Sequence, residues 1–245
     1  MREEPHSELQ GRIAAARSVF VLTGAGMSAE SGIATFRDAM TGLWSRFDPA
    51  QLASEEGFRA DPARVWDWYA ERRANVRAAQ PNAGHQALGA FARRRPGVLT
   101  LVSQNVDDLH QRAGVAATLR LHGDILADRW LQRCPRSPAC APATEGRPPR
   151  CDACGNLVRP AVVWFGEMLA DADLRAAVQA TLCDVFVTVG TSSVVYPAAG
   201  LVEQARHHGA FTVEINAEAT PATAVVDLAI HAPAEVVLPE VDRLL

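Results

Sequence analysis

The chain has 245 residues, 48% of them hydrophobic, which is enough for one sizeable core with a smaller module set into it. A formal charge of -4 and a pI near 6.0 leave no chain-wide positive field, which disfavours a general nucleic-acid binder. No stretch of eighteen apolar residues is present and residues 1–9 lack the apolar centre of a signal peptide, so a soluble, cytoplasmic protein is expected.

In chain order, a helical period covers residues 9–17 and an apolar, β-branched run at 18–23 predicts a buried strand ending in glycine. Residues 37–80 read as helical without a strand, most clearly at 62–79. A helix at 84–94 precedes strands at 98–103 and 118–122. Residues 127–160 break the rhythm with clustered cysteines, little periodicity and six prolines between Pro135 and Pro160. A helix at 174–182, a strand at 184–189, a helix at 197–208 and a strand at 211–215 follow. Strand alternating with helix predicts an α/β fold: a doubly wound, Rossmann-like parallel sheet covered on both faces. Residues 1–36, 81–126 and 161–245 form its large part. The helical stretch 37–80 and a zinc ribbon at 127–160 form a smaller inserted domain.

Four of the five cysteines, Cys134, Cys140, Cys151 and Cys154, cluster in that second interruption, which argues for a metal over disulfides. Cys151-x-x-Cys154 followed by Gly155 has zinc-knuckle spacing, and Cys134 and Cys140 supply the other two thiolates, although five intervening residues exceed the usual two to four. One closed, structural Zn2+ is expected. Unbound thiols in a loose loop are the alternative, and Cys183 stands apart as a small buried hydrophobe.

In a doubly wound sheet the ligand lies beyond the carboxyl ends of the strands, so the polar residues there are the candidates. The first strand runs into Gly24-Ala25-Gly26, where missing side chains let backbone approach a diphosphate, which suggests a dinucleotide. The next glycine is Gly32, so the spacing is not G-x-G-x-x-G, and no acidic residue ends a second strand as dehydrogenases require. Hydride transfer is the weaker reading. A purely structural βα turn stays open for this feature alone.

The run from Gly24 through Ala25, Gly26, Met27, Ser28 and Gly32 to Phe36 and Arg37 resembles the signature of the sirtuin family. Gln104-Asn105-Val106-Asp107 is similar to its Gln-Asn-Ile-Asp motif, Leu121-His122-Gly123 to its catalytic His-Gly, and Val163-Trp164-Phe165-Gly166-Glu167 to its substrate-binding strand. Gly190-Thr191-Ser192 and Ile215-Asn216 complete the set in order, while Ala34 and Val106 depart from the usual proline and isoleucine.

The resemblance implies an NAD-dependent protein-lysine deacylase acting on acyl-lysine proteins or peptides as a monomer. Gly24, Ala25, Gly26 and Ser28 would cradle the NAD phosphates. Gly190, Thr191, Ser192 and Asn216 would hold the adenosine half, with Ala234 also at the cofactor, and Phe36 and Arg37 would border the nicotinamide ribose. Gln104, Asn105 and Asp107 would orient the reacting end, with Asn105 and Asp107 counted with His122 as catalytic. In the family reaction the acyl oxygen displaces nicotinamide to give an alkylamidate, and His122 takes a proton from a ribose hydroxyl. Water then releases lysine and O-acyl-ADP-ribose. An imidazole with a reference pKa near ~6.5 suits that task at neutral pH. For His122 alone, a satisfied histidine at a strand end is the plain alternative. Residues 163–167, with Val195 and Tyr196, would flank an extended peptide added as a strand.

Tyr69 and Arg72 lie three apart on one helix face and could grip a carboxylate together. They resemble the Tyr-x-x-Arg pair of desuccinylating sirtuins, and Ala53 matches the small residue that widens the pocket there. Succinyl- and malonyl-lysine are therefore expected as substrates beside acetyl-lysine; an amphipathic helix with solvated arginines is the alternative. A deacetylase only, a protein ADP-ribosyltransferase and a zinc-ribbon binding module are the rival functions.

Overall fold

The computed structural model describes residues 5–34, 48, 52–133 and 145–243. In chain order these form α1 (Pro5–Ala15), β1 (Val19–Thr23), α2 (Gly26–Ala29), α3 (Glu55–Ala60), α4 (Pro62–Ala78) and α5 (Ala83–Arg94). Then come β2 (Leu99–Ser103), α6 (Leu109–Arg112), β3 (Leu119–Arg120), β4 (Gly123–Trp130) and β5 (Val158–Val162). The last third holds α7 (Asp171–Ala180), β6 (Val185–Val189), α8 (Leu201–His207), β7 (Phe211–Asn216), β8 (Leu228–His231) and α9 (Ala234–Arg243).

Six strands pair in parallel in the order β3-β2-β1-β6-β7-β8. Because alternate residues of a strand face opposite ways, β1 sends Val19 and Val21 into one layer and Phe20 and Leu22 into the other. The first layer is closed by α1, α5 and α9 through Leu9, Ile13, Leu88, Phe91, Val237 and Leu238. The second is closed by α7 and α8, with Phe186 stacked on Phe20 at 4.7 Å between ring centroids. Both β1 and β6 are buried at every position, which is why they read in sequence as uninterrupted apolar runs.

A third apolar cluster lies outside these layers and joins α3, α4, β4 and β5 through Phe58, Val65, Trp68, Tyr69, Val76, Ile125, Val162 and Trp164. Its strands β4 and β5 pair antiparallel, apart from the main sheet. Caps explain the paired helices: Ser54 accepts from the Gly57 N–H to start α3, and Asp61 accepts from the Arg64 N–H to start α4, whose first residue is Pro62.

Sequence periodicity missed several elements. The pairing of β4 and β5 shifts register between Asp124 and Asp128, which breaks the alternation that would mark a strand. The final helix carries Pro239 in its interior, and β8 is a four-residue edge strand with one buried position. Residues 163–167 are not a strand, since β5 ends at Val162 and the chain turns through Gly166 at φ +85°. Two strand-like bonds still pin this loop: Val163 N–H donates to the His122 carbonyl at 2.9 Å, and Phe165 N–H to the Ala53 carbonyl at 2.9 Å.

Candidate active site

Strand order reverses between β1 and β6, so the turns that follow these two strands border a crevice at the carboxyl edge of the sheet. The two turns meet backbone to backbone. Gly26 N–H donates to the Gly190 carbonyl at 2.7 Å and Gly24 N–H to that of Val189 at 2.9 Å. A Cβ on Gly24 would fall 2.6 Å from the Thr191 Cβ, and one on Gly190, held at φ +57°, 2.4 Å from the Met27 nitrogen. The glycines are therefore required by the mutual approach of the turns. Ala25 caps α2 and Ala234 opens α9, its carbonyl oxygen beside Gly84.

Three strand ends are tied across this edge. Gln104, after β2, donates its amide to Thr191 Oγ1 at 2.9 Å, and Asn216, ending β7, donates to the Thr191 carbonyl at 3.4 Å. Ser192 is exposed next to this tie.

Ser28, buried on α2, is the hub of a second network. Its hydroxyl donates to Asp107 Oδ2 at 3.0 Å and accepts from the Asn105 amide at 3.1 Å. Asp107 Oδ1 accepts from the Leu109 N–H at 3.0 Å, and burial raises this carboxyl above its ordinary pKa despite those bonds. Asp107 thus orients Ser28 and, through it, Asn105.

His122 follows β3, with Nδ1 2.8 Å from the Gln104 carbonyl oxygen. A carbonyl only accepts, so Nδ1 carries the proton and Nε2 keeps its lone pair. Burial lowers the pKa, partly offset by this bond, so the ring is neutral at neutral pH and can act as a base.

Beneath the site lie two histidines that sequence reading passed over. His85 on α5 reaches Ser28 Oγ at 3.5 Å, and His110 on α6 reaches Thr23 Oγ1 at 3.0 Å, which in turn donates to Ser103 Oγ at 2.9 Å. Their rings lie 4.7 Å apart, and among the described residues neither Nδ1 has a hydrogen-bond partner. Burial pushes His85 down to about 4; burial and then His85 push His110 down to about 3. A lone histidine in an apolar helix carries no sequence signal for such a role.

The other candidates fall along the third cluster. Trp164 is buried and donates its indole N–H to the Tyr69 hydroxyl at 2.9 Å, while burial pushes that phenol up to about 12. Ala53 is buried in the same cluster. Arg72 is half-buried over the Trp68 ring at 4.8 Å, and its Nε has no partner among the described residues. Glu167 is spent internally: its carboxylate accepts from Arg159, Arg129 and the Trp164 N–H. Phe165 at 56% exposure faces outward, as do Val194, Val195 and, at 71%, Tyr196. The loop expected to bind substrate therefore divides, with Trp164 and Glu167 inward and Phe165 and Gly166 outward.

Phe36, Arg37, Cys134 and Cys140 lie outside the described residues. Cys151 is buried and Cys154 follows on one turn, closed by Gly155 N–H on the Cys151 carbonyl at 2.8 Å. Among the described residues no three His, Cys, Asp or Glu side chains gather as a metal site.

Comparison with known proteins gives one consistent answer. The Sir2 family profile matches residues 24–197. A protein of Ralstonia nicotianae (strain ATCC BAA-1114 / GMI1000) named NAD-dependent protein deacylase is 54% identical over 228 residues, 93% of this chain and 92% of its own. A crystal structure of a Sir2 homolog–NAD complex superposes at TM-score 0.86 with 44% identity, over 97% of this chain and 92% of that one. A mutant Sir2 homologue with ADP-ribose superposes at TM-score 0.84 with 40% identity, over 100% of this chain and 96% of that one.

The buried histidines set an acid limit on stability. Unfolded, each takes a proton near pH ~6.5; folded, His85 waits until about 4 and His110 until about 3. Their contribution is complete above pH ~6.5 and is lost as pH falls toward those values, at up to about 1.4 kcal/mol per pH unit for each. Urea denaturation from pH 7 to pH 4 should show this decline, and replacing His85 or His110 with Gln should flatten it; an unchanged slope in both variants contradicts the assignment.

Proposed function

The chain belongs to the Sir2 family, and from that membership we propose an NAD-dependent protein-lysine deacylase that removes succinyl and malonyl as well as acetyl groups. The observation that carries the chemistry is His122, neutral, with Nδ1 committed to the Gln104 carbonyl and Nε2 left to accept a proton. NAD supplies the ribose carbon that captures the acyl oxygen as nicotinamide leaves. The turns at Gly24, Ala25, Gly26 and Ser28 and at Gly190, Thr191 and Ser192, with Asn216 and Ala234, would hold it at the switch point, and Phe36 and Arg37 would border its ribose. Gln104, Asn105 and Asp107 would orient the nicotinamide end. His122 would accept the proton of a ribose hydroxyl, and free lysine and O-acyl-ADP-ribose would result.

Support for an acidic acyl chain comes from Arg72. Burial lowers the pKa of its guanidinium, and its Nε has no hydrogen-bond partner among the described residues. A cation held this way gains from an incoming carboxylate. Phe165, Val195 and Tyr196 would border the peptide, with Ala53 leaving room for the longer chain. No described helix is long and apolar enough to cross a membrane, and we place the enzyme in the cytoplasm as a monomer.

The same reading includes one structural Zn2+ on Cys134, Cys140, Cys151 and Cys154. The described half of this set fits: two thiols three residues apart on one turn can take neighbouring tetrahedral positions, and Cys151 is buried. Four thiolates would close the site to chemistry, leaving the ion to hold residues 127–160 together.

Purified protein should then carry one zinc per chain by elemental analysis, and Cys151→Ser should lower both zinc content and Tm; a metal-free chain of unchanged Tm counts against the site. Matched succinyl- and acetyl-lysine peptides with NAD, read by product mass, test the activity. His122→Tyr should slow both substrates by about 100- to 10,000-fold. Arg72→Met should lower kcat/KM for the succinyl peptide by about 10- to 150-fold, the worth of a charged hydrogen bond, and leave the acetyl peptide within about threefold. Equal loss on both peptides refutes the carboxylate clamp, and ADP-ribosylated protein as the main product refutes deacylation.

A further inference from the structure

We propose that Trp164 is a specificity-determining positioning residue: its indole N–H fixes the Tyr69 hydroxyl as a donor toward the acyl chain. This rests on the acidic-acyl reading above. An indole N–H can only donate, so at 2.9 Å the Tyr69 oxygen must accept from it. A phenol has one proton, and with the Trp164 direction taken by an incoming N–H, that proton points elsewhere. Arg72, on the same face one turn along α4, also can only donate. The pair therefore offers donors alone, and the terminus that satisfies donors alone is a carboxylate.

The structure shows what holds the indole. Arg159, 1% exposed, places its guanidinium 3.2 Å from the Trp164 ring centroid. Glu167 bonds Arg159 and also accepts the Trp164 backbone N–H at 2.8 Å, so ring and backbone are fixed by one ion pair. Phe58 packs at 5.2 Å and Tyr69 at 6.4 Å between centroids, which leaves the indole no room to turn away. A phenyl ring without N–H would keep an aromatic face here while filling less of the space. It would leave Tyr69 free to rotate its proton.

Trp164→Phe keeps a ring over Arg159 and removes the donor together with some packing volume, whose cost falls on Tm and on both peptides alike. KM for the succinyl peptide should rise about 3- to 10-fold, the worth of one neutral hydrogen bond, with kcat for both peptides and KM for the acetyl peptide within about twofold. Tyr69→Phe, which leaves Trp164 in place, should raise the same KM, and the double variant should be no worse than Tyr69→Phe alone, because the two act through one proton. Equal loss on both peptides, additive single effects, or no change in the succinyl KM overturns the proposal. If Arg72→Met discriminates between the peptides and Trp164→Phe does not, this proposal fails alone; if neither discriminates, the acidic-acyl reading fails with it.

A second inference comes from composition. All 24 basic residues are arginine and the chain has no lysine. We infer that this deacylase is refractory to the modification it removes. Thioesters and acyl phosphates acylate a lysine when the free amine attacks the acyl carbon, expels thiolate or phosphate and gives its proton to solvent. A guanidinium stays charged and carries no lone pair for that attack. The cations that order the acyl pocket, Arg72 and Arg159, and Arg73, which bonds the Ile125 and Ala127 carbonyls, are thus beyond reach of acyl donors. Incubation of the full chain with succinyl-CoA or acetyl phosphate should add at most one hydroxylamine-stable adduct, on the α-amine, without loss of activity. Arg175→Lys, at a side chain 71% exposed on α7, should gain one more adduct and show that the donor is competent. Further stable adducts on the unaltered chain, or activity falling with exposure, overturns the inference.

Discussion

The approach of two glycine turns at the reversal of strand order is the constraint on which the rest of the site depends. Gly24 and Gly26 touch Gly190 and Thr191 through backbone, with carbonyl-bound N–H groups on one side and a left-handed residue on the other. A side chain at any of the three glycines would meet main-chain atoms of the opposite turn, which cannot move without displacing a central strand. This contact sets the separation of the crevice walls. It also places Thr191 where Gln104 and Asn216 can tie to it and Ser28 where Asn105 and Asp107 can.

The buried polar floor works by remaining uncharged where it is histidine. His122, His85 and His110 are all held below their ordinary pKa by burial, so neutral rings line the core beneath the crevice. For His122 neutrality is what the proposed role as base requires, since Nε2 must hold a lone pair. For the other two it is what allows them to lie 4.7 Å apart. Hydrogen-bond direction carries the organisation here. Ser28 has one proton, and its donation to Asp107 leaves its oxygen to accept from Asn105, so a single hydroxyl aligns both residues.

The fold was legible because its central strands are buried on both faces and so appear as unbroken apolar runs between glycine and polar stops, as at residues 18–23 and 184–189. The candidate residues at the crevice were legible for a related reason: the ends of parallel strands are where ligands go in such a sheet. Other features could not be read. The strands β4 and β5 hide behind a register shift, and α9 behind an internal proline. His85 and His110 look like ordinary helix residues until three-dimensional packing brings them against Ser28 and Thr23. Glu167 and Trp164 were expected at the substrate because of their motif, yet their side chains turn inward. Only packing against Arg159 and Tyr69, over separations of 8 and 95 residues, reveals that direction.

On the proposed function, that inward turn would join two recognition tasks in one loop. Phe165 lies exposed while its N–H is bound to the Ala53 carbonyl, and Trp164, one residue earlier, is buried against Tyr69. Neighbouring residues there face opposite ways, so under the proposed function one short segment would present an edge to the substrate main chain and a wall to its acyl group. Arg159 and Glu167 clamp this segment from behind, with Arg129 adding a second cation to Glu167. A displacement of the peptide edge would therefore shift the Trp164 ring and with it the Tyr69 hydroxyl. On the proposed reading, peptide seating and acyl discrimination would share a mechanical element, tying the choice of acyl group to correct engagement of the chain that bears it.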